Sequence, residues 1–249
     1  MSRYFLEVAY LGARYAGSQV QINAVTVQYE LEKALETFLR KPVILTGSSR
    51  TDAGVHAKQN FFHFDWEGEI VPKNIYNLNS LLPADISVSG IFGVNPGAHC
   101  RFDAIGREYE YIIYRQKDPF LEGRALYYPY TVDRDALEKA AAVVKEYHDF
   151  TSFSKRNTQS KTFECRIMES GWTGDDERLV YRVKANRFLR GMVRGLVGTM
   201  LQAGRGKITE QEFRNIIDAR DCTRADFSVP GHGLYLIRVA YPENYFAQK

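Results

Sequence analysis

The 249-residue chain has only three cysteines, Cys100, Cys165 and Cys222, far apart and odd in number. They form no Cys-x-x-Cys pair, so neither a disulfide framework nor a zinc site is indicated, and a reducing cytoplasm is the natural compartment. No apolar run approaches the ~20 residues needed to span a bilayer. Met1–Glu7 runs straight into a strand pattern with no signal-peptide core. Net charge is only +3, so the chain as a whole is not a polycation. Nucleotide-cradling glycine motifs are missing as well. Around Gly204-Arg205-Gly206-Lys207 a phosphate loop would need glycine where Leu201 stands and Ser or Thr where Ile208 stands, and no dinucleotide fingerprint occurs elsewhere.

What is present is ordinary globular composition, 45% hydrophobic and 25% charged, enough for one large domain or two small ones. Charge distribution says more than its sum. Residues 187–207 hold Arg187, Arg190, Arg194, Arg205 and Lys207 and no acidic residue, which suits either a surface facing a polyanion or a solvated basic helix face. Sixteen tyrosines and fifteen phenylalanines supply flat rings that can stack on bases, although most belong in a core.

Periodicity predicts a strand at Arg3–Tyr10, a helix capped by Thr26 and running to about Arg40, and a strand at Pro42–Ser48. A strand at Asn60–Trp66, a helix at Val71–Leu82 and a strand at Ile86–Val94 follow. The second half repeats the order: a strand at Gly106–Arg115, a helix from Asp133, strands near Lys161–Thr173 and Arg178–Ala185, a helix at Phe188–Ala203, and a strand at Gly233–Tyr241. Thr209-Glu210-Gln211-Glu212 reads as a capping box that starts one more short helix. The expectation is an α+β protein of two β-α-β-β-α-β halves, residues 1–95 and 101–249, with antiparallel sheets and the boundary at Asn95–Arg101. If the sheets join side by side, a cleft opens between their loops.

Between the second and third strands lies Gly47-Ser-Ser-Arg-Thr-Asp-Ala-Gly-Val-His-Ala57, with Asp52 at its centre. Loops have room for a substrate where cores do not. Arg50 stands two residues before the carboxylate and favours its ionised form, and Gly54 lets the backbone turn tightly. Spacing alone equally fits a common aspartate turn.

The whole string, however, resembles the active-site loop of the TruA-type tRNA pseudouridine synthases. Asn186-Arg-Phe-Leu-Arg-Gly-Met-Val-Arg194 resembles that family's Phe-Leu-x-x-Met-Val-Arg motif, and Arg107-Glu-Tyr-Glu-Tyr111 its Arg-x-Tyr-x-Tyr. Val27-Gln28, Tyr147–Phe153 and Gly233–Leu236 extend the likeness almost end to end. One departure is Gly17-Ser18-Gln19, where many members carry Gly-Trp-Gln.

The resemblance implies the pseudouridine synthase fold, with its two ferredoxin-like halves around a central cleft, and an isomerase that turns uridine into pseudouridine in the anticodon arm of several tRNAs (positions 38–40). It implies Asp52 as catalytic carboxylate, either nucleophile or base, and Arg194 as the cation that holds it ionised. Tyr109 would stack on the target uracil, and Arg50 would fill the space the flipped base vacates. It also implies a homodimer bound to tRNA in the cytoplasm, with no membrane and no cofactor. No metal is expected; His56 reads as a loop hydrogen-bonder and His63 as a sheet residue. A synthase acting on another RNA and a non-catalytic RNA-binding module are the alternatives.

Overall fold

The computed structural model describes residues 1–156 and 160–246. The chain forms two compact units: Met1–Ile105 together with Tyr235–Lys249, and Gly106–Leu234. The elements of the first stretch are β1 (Ser2–Tyr10), α1 (Val27–Leu39), β2 (Thr46–Gly47), β3 (His56–Trp66), α2 (Asn74–Leu81) and β4 (Ile86–Val94). Then come β5 (Gly106–Tyr114), β6 (Leu126–Tyr127), α3 (Arg134–Val144), β7 (Ile167–Gly174), β8 (Arg178–Ala185), α4 (Met192–Gly204), α5 (Glu210–Asp218) and β9 (Leu234–Ala240). This is a mixed α+β protein with mostly antiparallel pairing. No helix among the described residues is long and apolar enough to cross a membrane.

In the first unit β1 is central, antiparallel to β3 from Ser2↔Trp66 onward and to β4 from Arg3↔Val94 onward. β1 takes up one edge of β3, and β2 and β9 share the other: β2 antiparallel at Thr46↔His63, β9 parallel at His56↔Tyr235 and Ala57↔Leu236. Alternation on β1 buries Tyr4, Leu6, Val8 and Tyr10. Phe5, pointing the other way, is buried as well, because Tyr241, Tyr245 and Phe246 pack on it. Phe246 also stacks on Phe61 and meets Phe92. That aromatic cluster is why the C-terminal residues lie with the first unit and not with the second half, where the sequence order put them. The first unit also runs on to Ile105, past the expected boundary at Asn95–Arg101, because Ile105 N–H bonds Ala240 C=O at 2.8 Å.

α1 starts where Thr26 accepts the N–H of Tyr29 and buries Val27, Leu31, Ala34 and Leu35 at helical spacing. The strand expected over Pro42–Ser48 shrinks to the two residues of β2. Leu45 N–H and C=O are taken by Glu32 and Gln28 of α1, so this backbone is satisfied by side chains instead of a ladder.

In the second unit β5 pairs antiparallel with β8 from Arg107↔Ala185 to Tyr114↔Arg178, β8 pairs antiparallel with β7, and β6 adds a short parallel edge to β5. Thr209 and Glu212 form the capping box of α5, and Asp133 caps α3. α4 corrects one expectation. It is not a basic helix face: it is apolar nearly all round, with Met192, Val193, Leu196, Val197, Met200 and Leu201 all buried. Arg187 and Arg190 precede it and Arg205 and Lys207 follow it, so Arg194 is the only cation within its span. The helix also starts later than Phe188, because the Asn186 side chain accepts the N–H groups of Arg166 and Arg187 and holds that stretch as a turn.

Candidate active site

The loop over residues 48–55 leaves β2 and enters β3, as the sequence predicted. Its two shoulders are buried and its middle is not: Ser48, Ser49, Thr51 and Val55 are covered, Arg50 is exposed and Asp52 is half-buried. Polar bonds from three parts of the chain hold the stretch before Asp52. Asn60 on β3 accepts from Ser48 Oγ at 3.0 Å and donates to Ser49 C=O at 3.1 Å. Tyr10 at the end of β1 shares a 2.9 Å hydrogen bond with Thr51 Oγ1 and accepts from Asn60 Nδ2 at 3.2 Å. Burial pushes the Tyr10 hydroxyl above its ordinary pKa, so it stays a neutral bonding partner.

The third support is Ser18. It is 2% exposed, and its Oγ accepts Thr51 N–H at 2.8 Å and donates to Ser49 C=O at 3.4 Å. Its own N–H donates to Thr51 C=O at 3.1 Å. Ser18 thus brackets Arg50 from behind. The sequence singled it out only as the place where the family's tryptophan is gone, and its bonding role was not legible there. A small hydroxyl fits this buried position.

Beyond Asp52 the chain turns, with Val55 N–H bonded to Asp52 C=O and Gly54 at φ 78°, a left-handed conformation that favours glycine. The turn reading and the catalytic reading of this aspartate are therefore compatible: the backbone makes the turn. His56 opens β3, fully buried; its Nδ1 accepts Gly12 N–H at 2.9 Å and its ring stacks on Tyr235 at 4.5 Å. His63 sits within β3, as expected of a sheet residue.

The sequence expected no metal site. The structure nevertheless draws the donor atoms of His63, His99 and Cys100 to within 4.8 Å of one another, a grouping that can hold a metal. Hydrogen bonds also tie this cluster together: Cys100 N–H donates to His63 Nδ1 at 3.3 Å and Cys100 Sγ–H to Thr46 C=O at 3.0 Å. Sequence spacing shows only that Cys100 lacks a partner cysteine; the fold supplies the neighbours that spacing could not reveal.

Tyr109 and Arg194 belong to the second unit. Tyr109 lies on β5 opposite Val183, 8% exposed, with the ring of Phe188 edge-on at 5.0 Å. Tyr111, two residues on and fully buried, donates from its hydroxyl to Pro230 C=O at 2.9 Å. Burial raises its pKa, and the Arg194 charge works against that rise. Arg194 stands in the first turn of α4, half-buried, as its apolar neighbours implied. Its Nε donates to Val229 C=O at 2.8 Å and its Nη2 to Phe227 C=O at 3.5 Å.

The segment that receives Arg194, residues 226–230, was invisible in the sequence. It lies against α4 because Gly198 has no side chain; a Cβ there would stand 2.2 Å from Asp226 C=O. Asp226 N–H donates to Thr199 Oγ1, and its carboxylate accepts from Gln202 and from Ser228 N–H. These bonds hold its pKa below the ordinary value against the opposing effect of partial burial.

Comparisons with known proteins agree in one direction. A family model described as tRNA pseudouridine synthase matches residues 147–242. Over the full length, the chain is 46% identical to tRNA pseudouridine synthase A of Parabacteroides distasonis, covering 99% of this chain and 98% of that one. Identity to the protein of the same name from Bacteroides fragilis is 46%, covering 99% of each. With that of Staphylococcus aureus strain JH1 it is 35%, over 97% of this chain and 92% of the relative. These alignments extend over the loop at residues 48–55, which the family model leaves out.

Proposed function

The chain belongs to the tRNA pseudouridine synthase A family, and from that premise we propose that Asp52, Arg50, Tyr109 and Arg194 carry the isomerisation of uridine in the anticodon arm of tRNA. The protein is an isomerase acting on tRNA uridine. The reaction breaks the bond between N1 and C1′, turns the uracil and joins C5 to C1′. The hydrogen on C5 leaves as a proton and N1 gains one. Substrate and product contain the same atoms at the same oxidation level, so the chemistry calls for no redox cofactor.

The observation that supports Asp52 as the reacting group is the build of its loop. Six polar bonds from Ser18, Tyr10 and Asn60 fix Ser48, Ser49 and Thr51 just before it, while Asp52 itself stays half-exposed. A rigid backbone with one half-open carboxylate suits a group that must meet a sugar carbon or sugar hydrogen at a set distance. Asp52 acts either as nucleophile at C1′ or as base on a sugar hydrogen, and both roles need it ionised. In this reading Arg194 supplies the neighbouring positive charge, and its bonds to two carbonyls fix its head. Tyr109, rigid on β5, is the face on which the uracil stacks. Arg50, exposed at the loop's crest, enters the RNA where the base has left.

The finer architecture belongs to the same proposal: two ferredoxin-like halves around a central cleft. The order β4-β1-β3-β2 in the first unit and β5-β8-β7 in the second support it. A homodimer working in the cytoplasm completes the reading.

The test follows the hydrogen that must leave C5. With tRNA carrying tritium at C5 of its uridines, the wild-type protein releases tritium to water. Asp52→Asn releases none above background while still shifting the tRNA in a gel. If Asp52→Asn releases tritium at the wild-type rate, the carboxylate assignment is wrong. If the wild type releases none, the protein only binds RNA.

A further inference from the structure

Beside the Asp52 loop the first unit carries a groove of about 280 Å³ to which no step of the reaction has been assigned. Arg50, Arg101, Phe102, His99, Gln19 and Thr46 are among the residues that line it. None of the described residues that line it is acidic. Phe102 is 75% exposed. Single exposed apolar residues are common and need no explanation, but this one is set in a particular frame. The His99 ring lies 4.2 Å from its centroid and the Arg101 guanidinium 6.0 Å from it.

The turn that presents Phe102 is held firmly. Asp103 N–H bonds His99 C=O at 3.0 Å, and the Asp103 carboxylate accepts His99 N–H at 2.8 Å and the Tyr245 hydroxyl at 2.6 Å. Tyr241 donates to Cys100 C=O, and Cys100 bonds back to His63 on β3 and Thr46 on β2. Both sides of the turn are thus tied to the sheet, and the phenylalanine is left outside. A rigid aromatic face, two arginines and no carboxylate among the described lining residues make a site complementary to a base and its phosphate, not to an apolar peptide or a cationic ligand.

We propose that this groove binds one unpaired nucleotide of the substrate RNA, a neighbour of the target uridine, its base stacked on Phe102 and its phosphate on Arg101. This rests on the reading of the chain as a tRNA-modifying enzyme. The site lies on the Arg50 side of the catalytic loop, so a nucleotide held there sets how far the strand can move when the uridine leaves the helix. Phe102 and Arg101 are positioning residues; they do not touch the reacting atoms.

The experiment is steady-state pseudouridine formation on an anticodon-arm RNA. Phe102→Ala should raise KM roughly tenfold, the effect of losing one stacked base, and leave kcat within about twofold. Phe102→Trp should restore KM, which a merely structural role would not predict. Placing an abasic nucleotide at each position flanking the target in turn should reveal one position at which Phe102→Ala costs nothing further. Unchanged KM in Phe102→Ala, with the wild type active, overturns the proposal, and so does an additive penalty at every flanking position. If sedimentation instead shows that Phe102→Ala disrupts an assembly of the chain, the phenylalanine faces a second copy and the proposal is likewise overturned. An inactive wild type would refute the functional reading itself, a distinct outcome.

Discussion

Ser18 shows how much a single buried hydroxyl can contribute. Its hydroxyl satisfies Thr51 N–H inside the protein. Ser18→Ala leaves that donor buried and unpaired, at a cost of about 1–3 kcal/mol. The expected result is a melting temperature lower by several degrees and a lower kcat, since the displaced part is the loop that carries both Asp52 and Arg50. A variant with wild-type kcat would mean the loop is held well enough by Tyr10 and Asn60 alone. Arg194→Ala should lower kcat about a hundredfold, the scale of removing one organised charge from a reaction centre. Arg194→Lys should recover little, because a single ammonium cannot reach both the Val229 and Phe227 carbonyls that the guanidinium spans. Full activity in Arg194→Lys would show that the carbonyl contacts do not orient the charge.

Elements were legible where their own residues decide them. Thr26, Asp133 and Thr209 each cap the helix they were expected to cap, because the cap is a bond within a few residues. The miscalculated ones depend on distant partners: β2 lost length to Gln28 and Glu32 of α1, and α4 proved to be core because the charges around it lie just past its ends. The segment at residues 226–230 had no periodic signal at all, yet it carries the carbonyls that hold Arg194. Its stability should depend on pH through Asp226. The carboxylate's folded pKa lies below its ordinary value of 3.8, so the unfolded chain binds the proton more readily. The stabilisation is complete above about that value and disappears as pH falls through the lower, folded one. Urea unfolding at pH 6 and pH 3 should show a smaller acid-induced loss in Asp226→Asn than in the wild type. Equal losses would mean that these bonds do not favour the ionised form.

At the scale of the whole molecule, the order of elements was readable and the grouping was not. Alternating strands and helices predict sheets, but nothing in the order says that residues after Leu234 return to the first unit; Phe5, Phe61 and Phe92 and the rings of Tyr241, Tyr245 and Phe246 decide that. The candidate residues were found by motif, and what motif could not supply was their support: Ser18 and Asn60 behind Asp52, the 226–230 carbonyls around Arg194, and the held turn beneath Phe102. The proposed role of Asp52 in uridine isomerisation in the anticodon arm is tested by incubating unmodified tRNA transcripts with the protein and mapping pseudouridine at nucleotide resolution. Wild-type protein should form pseudouridine only in the anticodon arm, and Asp52→Ala none there, a loss of at least about a thousandfold, with tRNA binding retained. Pseudouridine in another arm, or an anticodon arm modified as well by Asp52→Ala as by the wild type, would contradict it.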